Sequence, residues 1–207
     1  SNSENRLKDS ILKEKEKYEN TYEVLQKVLE ELETARSNVA SSSSSAKKIE
    51  ARISEINKLL GYTDIKGKGI VIMLKDGTPD SYPNEAGDDY VEYMSTYMVH
   101  DGDLKAVVNE LFNAGAEAVS INGERIVSAS SIKCSGNIIK VNNQKLGSPF
   151  EIKAIGSPDK LYGALARPAG YLENIRLDGV IVNIEKKDKS KIKIKKYTGV
   201  YNDDYMK

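Results

Sequence analysis

The first sixty residues follow a repeat in which apolar side chains recur at alternating steps of four and three. Thirteen of the sixteen positions reached in this way are apolar, whereas the positions between them are mostly Lys, Glu, Asn and Ser. This spacing is typical of a coiled-coil seam. No Gly or Pro interrupts the repeat, and Gly61 is a natural C-terminal cap. The pattern predicts a long helix over residues 1–61. The seam positions are Leu7, Ile11, Glu14, Tyr18, Thr21, Leu25, Val28, Leu32, Ala35, Val39, Ser42, Ala46, Ile49, Ile53, Ile56 and Leu60.

A run of serines at residues 41–45 offers a two-helix hairpin as an alternative. The repeat, however, continues in register from Val39 through Ser42 to Ala46, which an unrelated second helix would do only about one time in seven. A single helix from Leu7 to Leu60 would be about 80 Å long. Its narrow apolar stripe needs a partner. We therefore expect a homodimer or pairing with another coiled-coil protein. Packing of the helix along its own domain is the alternative.

The period changes after Gly61, and residues 62–200 alternate between strand and helix patterns, followed by a tail over residues 201–207. The order strand, helix, strand, then strand, helix, strand predicts an α+β fold of the ferredoxin-like (split βαβ) type with extra β-hairpins. We expect helices from Asp103 to Gly115 and over 157–166. Strands are expected over residues 68–74, 116–121, 124–129, 131–134, 137–141 and 150–155, with a closing hairpin of 179–186 and 191–197.

Composition excludes several classes of protein. Lys and Arg number 31, as do Asp and Glu, so a global field that draws the protein to nucleic acid or to an anionic membrane is excluded as its main property. No nucleic-acid partner is expected. One Cys and one His leave no disulfide framework and no ordinary zinc site, and no cofactor is expected. On its predicted strand, Cys134 is expected to be a small core residue. Charge is segregated, since residues 67–123 carry 3 basic and 10 acidic side chains and residues 124–207 carry 16 and 9.

Eight acids without a base occupy the stretch between Lys75 and Lys105, where residues 76–100 are predicted to form a long loop. We interpret the acids as a solvated surface, because the spacing of an EF-hand is absent. Tyr90 and Tyr93 give this loop aromatic contact area, so a small-ligand or peptide-binding module using the sheet or the loop is one alternative. A metal-dependent hydrolase using the acidic loop, with Asp88 and Asp89 beside His100, is a more distant one.

Three lysines, Lys191, Lys193 and Lys195, alternate with isoleucines near the C-terminus and therefore point to one side of a strand. Nucleic-acid binding would require aromatic side chains between them for stacking, and these are missing. We interpret the lysines as protection of an exposed sheet edge.

Two blocks of sequence resemble a bacterial family, domain of unknown function 881. The first block is His100-Asp101-Gly102-Asp103-Leu104, Val108-Asn109-Glu110-Leu111, Ala114 to Asn122, and Arg125-Ile126; the second is Pro149 to Pro158 with Leu161. The resemblance implies an envelope protein with one N-terminal membrane helix, a coiled coil and this domain. Such proteins are sometimes labelled division-initiation proteins, and no activity is implied.

Five polar positions of the first block are candidate binding residues: Asp103, Asn109, Glu117, Asn122 and Arg125. They could form a shared pocket. Alternatively, Asp103 caps a helix, Asn122 makes a turn and Glu117 pairs with Arg125 across a hairpin.

The leading hypothesis is a non-enzymatic, membrane-tethered interaction or scaffold protein whose stalk presents the domain outside the cytoplasm. Ser1-Asn2 resembles the remnant of a cleavage, so we expect a membrane anchor upstream of it.

Overall fold

The structure, a computed structural model, describes residues 27, 30–38, 44–78, 94–136 and 138–199. The chain divides into two compact units, Ser1–Ile56 and Asn57–Lys207. Residues 30–38 are helical, and helix α1 spans Ser44–Leu59. The predicted seam before Leu32 lies outside the described residues, as do Val39 and Ser42.

Helix α1 ends just before Gly61, as the sequence predicts. Gly61 has φ +82°, its N–H donates to the Lys58 carbonyl at 3.2 Å, and the Tyr62 N–H donates to the Asn57 carbonyl at 2.8 Å. A residue with positive φ that turns the chain back onto the last carbonyls is the usual way to end a helix.

The second unit is a mixed α+β domain with two antiparallel sheets. Its strands are β1 (Ile65–Lys75), β2 (Ala118–Ile121), β3 (Glu124–Ile126), β4 (Ile132–Ser135), β5 (Ile138–Val141), β6 (Gln144–Leu146), β7 (Phe150–Ile155) and β8 (Ile181–Ile194). Its helices are α2 (Asp101–Asn113), α3 (Pro158–Leu165) and α4 (Tyr171–Leu177). The larger sheet has the order β3-β2-β7-β1-β8, and β4, β5 and β6 form the smaller one.

The connections of the larger sheet follow from its pairing. β1 and β2 are both antiparallel to β7, which lies between them, so they run parallel to each other and are joined through α2. β7 and β8 are both antiparallel to β1, so they too run parallel and are joined through α3 and α4. Each parallel pair is therefore separated by one antiparallel strand.

In the described part of the domain, the larger of two buried apolar clusters joins the sheets to the helices. Alternate residues of β1 turn toward the helices and are fully buried there: Ile70, Ile72 and Leu74. Leu104, Val107 and Leu111 of α2 pack in the same cluster, as does Leu161 of α3. Full burial of one such side chain stabilises the fold by about 1.5–3 kcal/mol.

The predicted closing hairpin is wrong. Both of its segments lie largely within the single strand β8, which pairs with β1 before and after residues 188–191. β1 begins at Ile65, earlier than predicted, and so provides partners for the buried Ile192 and Ile194. The register shifts between Gly67 and Gly69, so the polar residues 188–191, which had signalled a turn, form an irregularity within the strand.

Two short elements were not predicted, namely β6 and α4. β6 has three residues, of which only Leu146 is apolar, and α4 has seven. Neither is long enough to establish a period of its own, so each depends on its neighbours.

Cys134 is exposed, and its prediction as a core residue is wrong. It lies on β4, which is an edge of the smaller sheet and packs beside α2. The inner face of that sheet instead contributes Ile139 and Val141 to the core.

Candidate functional site

Asp103 connects two helices of the domain. It is buried, its Oδ2 accepts the His100 N–H at 2.6 Å, and its Oδ1 accepts the Tyr171 hydroxyl at 2.7 Å. Burial, followed by this bond to Asp103, raises the pKa of Tyr171 to about 12. The helix N-cap is His100 and not Asp103 as predicted, since Asp103 is the third helical residue and reaches back to the cap backbone. These contacts give Asp103 a structural role.

Asn122 forms the turn between β2 and β3, with φ 47°. Its Oδ1 accepts the Glu151 N–H at 2.6 Å, and its Nδ2 donates to the Pro149 carbonyl at 3.2 Å. The side chain therefore fastens the turn to the start of β7, which is possible because Asn tolerates a left-handed backbone and can bond to main-chain groups.

Arg125 is 3% exposed and lies on β3 opposite Ser120, not opposite Glu117 as predicted. A Cβ atom placed on Gly61 would lie 3.7 Å from its Cγ and Nε. The guanidinium group is thus next to the C-terminal end of α1, where the helix dipole favours a cation.

Asn109 and Glu117 are both exposed, Asn109 on α2 and Glu117 just before β2. Asp103 bonds to His100 and Tyr171, whereas Asn122 bonds to Pro149 and Glu151, so the motif does not assemble around one ligand position. That these residues bind a ligand stays a prediction. Tyr90 and Tyr93 lie outside the described residues, as do Asp88 and Asp89.

Hydrogen bonds join the two ends of the acidic loop, residues 76–100, just after β1. Asp76 Oδ1 accepts the Val99 N–H at 2.9 Å, and the Gly77 N–H donates to the Tyr97 carbonyl at 2.8 Å. The lone histidine, His100, places its Nε2 2.8 Å from the Ser95 carbonyl oxygen. Residues 94–96 form a short helical turn within this segment.

Beside Cys134, Asp101 holds Lys105 at 2.6 Å and accepts a bond from the Cys134 Sγ at 3.2 Å. The bond to Lys105, then that to Cys134, lowers the pKa of Asp101 to about 2, while burial raises the pKa of the Cys134 thiol. A thiol with a raised pKa is a weak nucleophile at neutral pH. In the described part of the chain, no group of three or more His, Cys, Asp and Glu side chains could hold a metal ion.

A groove of 410 Å³ that the sequence did not suggest lies between α3, α4 and β8. Arg167, which is paired with Glu110 at 2.6 Å, and Arg176, which donates to the Val182 carbonyl at 3.3 Å, contribute guanidinium groups to it. Arg167 precedes the unpredicted helix α4 and Arg176 lies in its last turn, which explains why sequence periodicity did not bring the two arginines together.

Large apolar side chains of the predicted seam are exposed where they are described. Leu32 is 48% exposed, Ile49 62%, Ile56 42% and Leu60 42%. Ile49 and Ile56 are seven residues apart on α1, and Ile53 between them is half-buried. None of the described helices combines the length and apolarity required to cross a bilayer.

Comparison with known proteins gives the family. The model of the family described as bacterial protein of unknown function (DUF881) matches residues 52–207. The UPF0749 protein YlxW of Bacillus subtilis is 34% identical over 134 residues, covering 65% of this chain and 54% of its own length. UPF0749 protein Rv1823 of Mycobacterium tuberculosis is 32% identical over 140 residues, covering 65% and 45%. The chain thus spans about half the length of these relatives.

Two further comparisons extend the match. The UPF0749 protein YlxX of Bacillus subtilis is 26% identical over 199 residues, covering 94% of this chain and 74% of that protein. The crystal structure of an uncharacterized conserved protein from Mycobacterium tuberculosis aligns with a TM-score of 0.58 at 22% identity, covering 75% of this chain and 98% of that one, and so shares its fold. The chain belongs to the DUF881 family, which confirms the resemblance noted in its sequence.

Proposed function

We propose that this member of the DUF881 family is an interaction protein of the bacterial cell envelope, in which a helical stalk pairs with a second helix and presents the α+β domain. The observation that carries the proposal is the exposed seam of α1, where Ile49 is 62% and Ile56 42% exposed at a spacing of one heptad. Burial of such side chains contributes about 1.5–3 kcal/mol each, so pairing of two seams has a favourable free energy of association.

We propose a homodimer with parallel helices as the first form of this pairing. A membrane anchor at one end of each stalk would bring neighbouring chains together with the same orientation. Glu14, Thr21 and Ser42 would lie on the seam, where polar residues weaken a coiled coil and help to set its register.

For the domain we propose the ferredoxin-like class. Support comes from the order β2-β7-β1-β8, from the two parallel pairs that each enclose an antiparallel strand, and from helices on one face. This fold hosts many functions, so the proposed role depends on the seam and not on the fold.

The seam is tested by sedimentation of the full chain and of a double variant, Ile49→Asn with Ile56→Asn. We expect the unaltered chain to dimerise and the double variant to dissociate at least about 100-fold more readily, because two apolar contacts per chain are lost. The matched control replaces Lys47 and Ser54, which are exposed, seven residues apart and outside the seam, with Asn.

The control variant should dimerise like the unaltered chain. A monomer from micromolar to millimolar concentration would contradict homodimerisation and would require a different coiled-coil partner. Equal dissociation of both variants would show that helix propensity, and not the seam, determines association.

A further inference from the structure

The outer face of the smaller sheet carries three lysines in one row across three strands. Lys133 of β4 lies directly opposite Lys140 of β5, and Lys140 lies directly opposite Lys145 of β6. Directly opposite residues point to the same face, and adjacent strands lie about 4.8 Å apart. The three ammonium groups therefore lie on one face of this three-stranded sheet.

This row is energetically unfavourable in isolation. Like charges directly opposite each other in a sheet destabilise the pairing. Among the described residues, none of the three lysines takes part in an ion pair. The sequence supplies no local relief either, because no Asp or Glu occurs between Glu124 and Glu151. An anionic partner would remove the repulsion.

The opposite face of the same sheet explains why the lysines point outward. Ile139 and Val141 point into the domain core, and alternation along the strand places Lys140 on the outside. Ile138 shares the outer face with Lys140 and is 40% exposed. The outer face thus combines a row of cations with one exposed apolar side chain.

We propose that this lysine row, formed by Lys133, Lys140 and Lys145, docks the domain onto an anionic phospholipid surface. Three cationic side chains on one face of a sheet can contact the headgroups of a bilayer together, and each lysine near the headgroups adds about five-fold to binding. The exposed Ile138 adds an apolar contact of the kind that interfacial segments use.

Other anionic partners fit the row less well. Single-stranded nucleic acid is bound by aromatic stacking, and residues 127–149 contain no aromatic side chain. A discrete phosphate is bound by several donors that point toward one position, or by the two parallel N–H groups of an arginine guanidinium. The three lysines instead lie in a row along one face of a sheet. The inference does not depend on the helical seam, since it rests on another face of the molecule.

The test measures co-sedimentation of the full chain with vesicles of phosphatidylglycerol and phosphatidylcholine in equal parts, and with vesicles of phosphatidylcholine alone. We expect binding to the anionic vesicles that weakens as salt is added. Replacement of Lys133, Lys140 and Lys145 with Gln should weaken that binding about 100-fold. The thermal unfolding midpoint of this variant should be unchanged or slightly raised, because Lys133 and Lys145 are exposed, Lys140 is half-buried, and the three like charges repel one another.

The matched control replaces Lys160, Lys189 and Lys195 with Gln, which removes the same charge from exposed positions elsewhere. Binding by this control should weaken by at most about two-fold. The proposal would be overturned if both triple variants lost the same amount of binding, or if the protein bound uncharged vesicles equally well. It would also be overturned if the protein bound soluble polyphosphate or duplex DNA but not vesicles. Repeating the measurement on the seam variant Ile49→Asn with Ile56→Asn separates this result from the state of association.

Discussion

Individual polar residues of the family motif act within the fold by joining elements that are distant in sequence. Asp103 lies at the start of α2 and accepts bonds from the His100 backbone and from the Tyr171 hydroxyl, 68 residues away. Hydrogen bonds to charged groups contribute about 1.5–3 kcal/mol each. Since the Asp103 carboxylate is buried, removal of either partner would leave polar atoms without a hydrogen bond. The two bonds explain how Asp103 can lie on the otherwise apolar buried face of α2.

At this scale we predict that Asp103 and Tyr171 stabilise the domain as a coupled pair. Tyr171→Phe should lower the free energy of unfolding by about 1–2 kcal/mol and Asp103→Asn by about 2–3 kcal/mol. The double variant should lose about 1 kcal/mol less than the sum, because the shared bond is counted once. Urea denaturation of all four proteins gives this difference, and strict additivity would contradict the coupling.

The same pair has an expected pH dependence. The pKa of Tyr171 is raised from 10.0 to about 12 in the folded protein, so the folded state holds the phenol proton more tightly than the unfolded chain. The stability that Tyr171 contributes should be complete below pH 10.0 and should fall as the pH rises toward 12. The stability difference between the unaltered protein and Tyr171→Phe should therefore shrink over that interval.

At the scale of elements, strand β1 is an interior strand of the larger sheet and pairs with β7 on one side and β8 on the other. Its length, from Ile65 to Lys75, allows β8 to run as one strand past an irregularity at Gly67 and Gly69. A Cβ atom on Gly69 would lie 1.9 Å from the Ala154 carbonyl oxygen, so the backbones of β1 and β7 approach each other closely there. A side chain at this position would have to push the strands apart.

We therefore predict that Gly69→Ala lowers the free energy of unfolding by at least about 2–3 kcal/mol, with loss of the native sheet signal in circular dichroism on mild heating. The control is Gly102→Ala on α2, where a Cβ atom would meet nothing within 4 Å. There alanine should be neutral or stabilising by up to about 1 kcal/mol, because it reduces the freedom of the unfolded chain. Similar effects at both positions would contradict the close approach.

At the scale of the whole molecule, the proposed envelope role requires the domain to lie outside the cytoplasm. The positive-inside tendency would place it there if a short basic start and one apolar helix precede the stalk. Lys189 lies in the irregular segment of β8 and is exposed, so it is a suitable reporter position. Cys134 is exposed as well and must be removed first.

We predict that Lys189→Cys in a Cys134→Ser background, in the protein expressed in its own cells, reacts with an impermeant thiol reagent on intact cells. The readout is blockage of later labelling after lysis. Protection of the cysteine until lysis would place the domain in the cytoplasm. Cells that carry Cys134→Ser without the new cysteine are the control, because any labelling in them comes from other proteins.

Elements with a strong local period were predictable from the sequence. The helix that begins near Asp103, the strand Phe150–Ile155 and the helix after Ser157 all occur within a residue or two of their expected bounds. Their apolar spacing, capping residues and turn residues are local properties, as with Asn122 and Gly123 between β2 and β3. The segregation of charge and the family resemblance were likewise visible in the sequence.

Only the tertiary structure decided which segments meet. The union of two predicted strands into β8 depends on the length of β1, more than a hundred residues earlier. The lysine row depends on the register of three strands, since a slip of one residue would move a lysine to the other face. Asp103 and Tyr171 meet because α4 forms, and α4 is too short to signal itself. Pairing between distant segments is a property of the packed chain, and local periodicity carries no information about it.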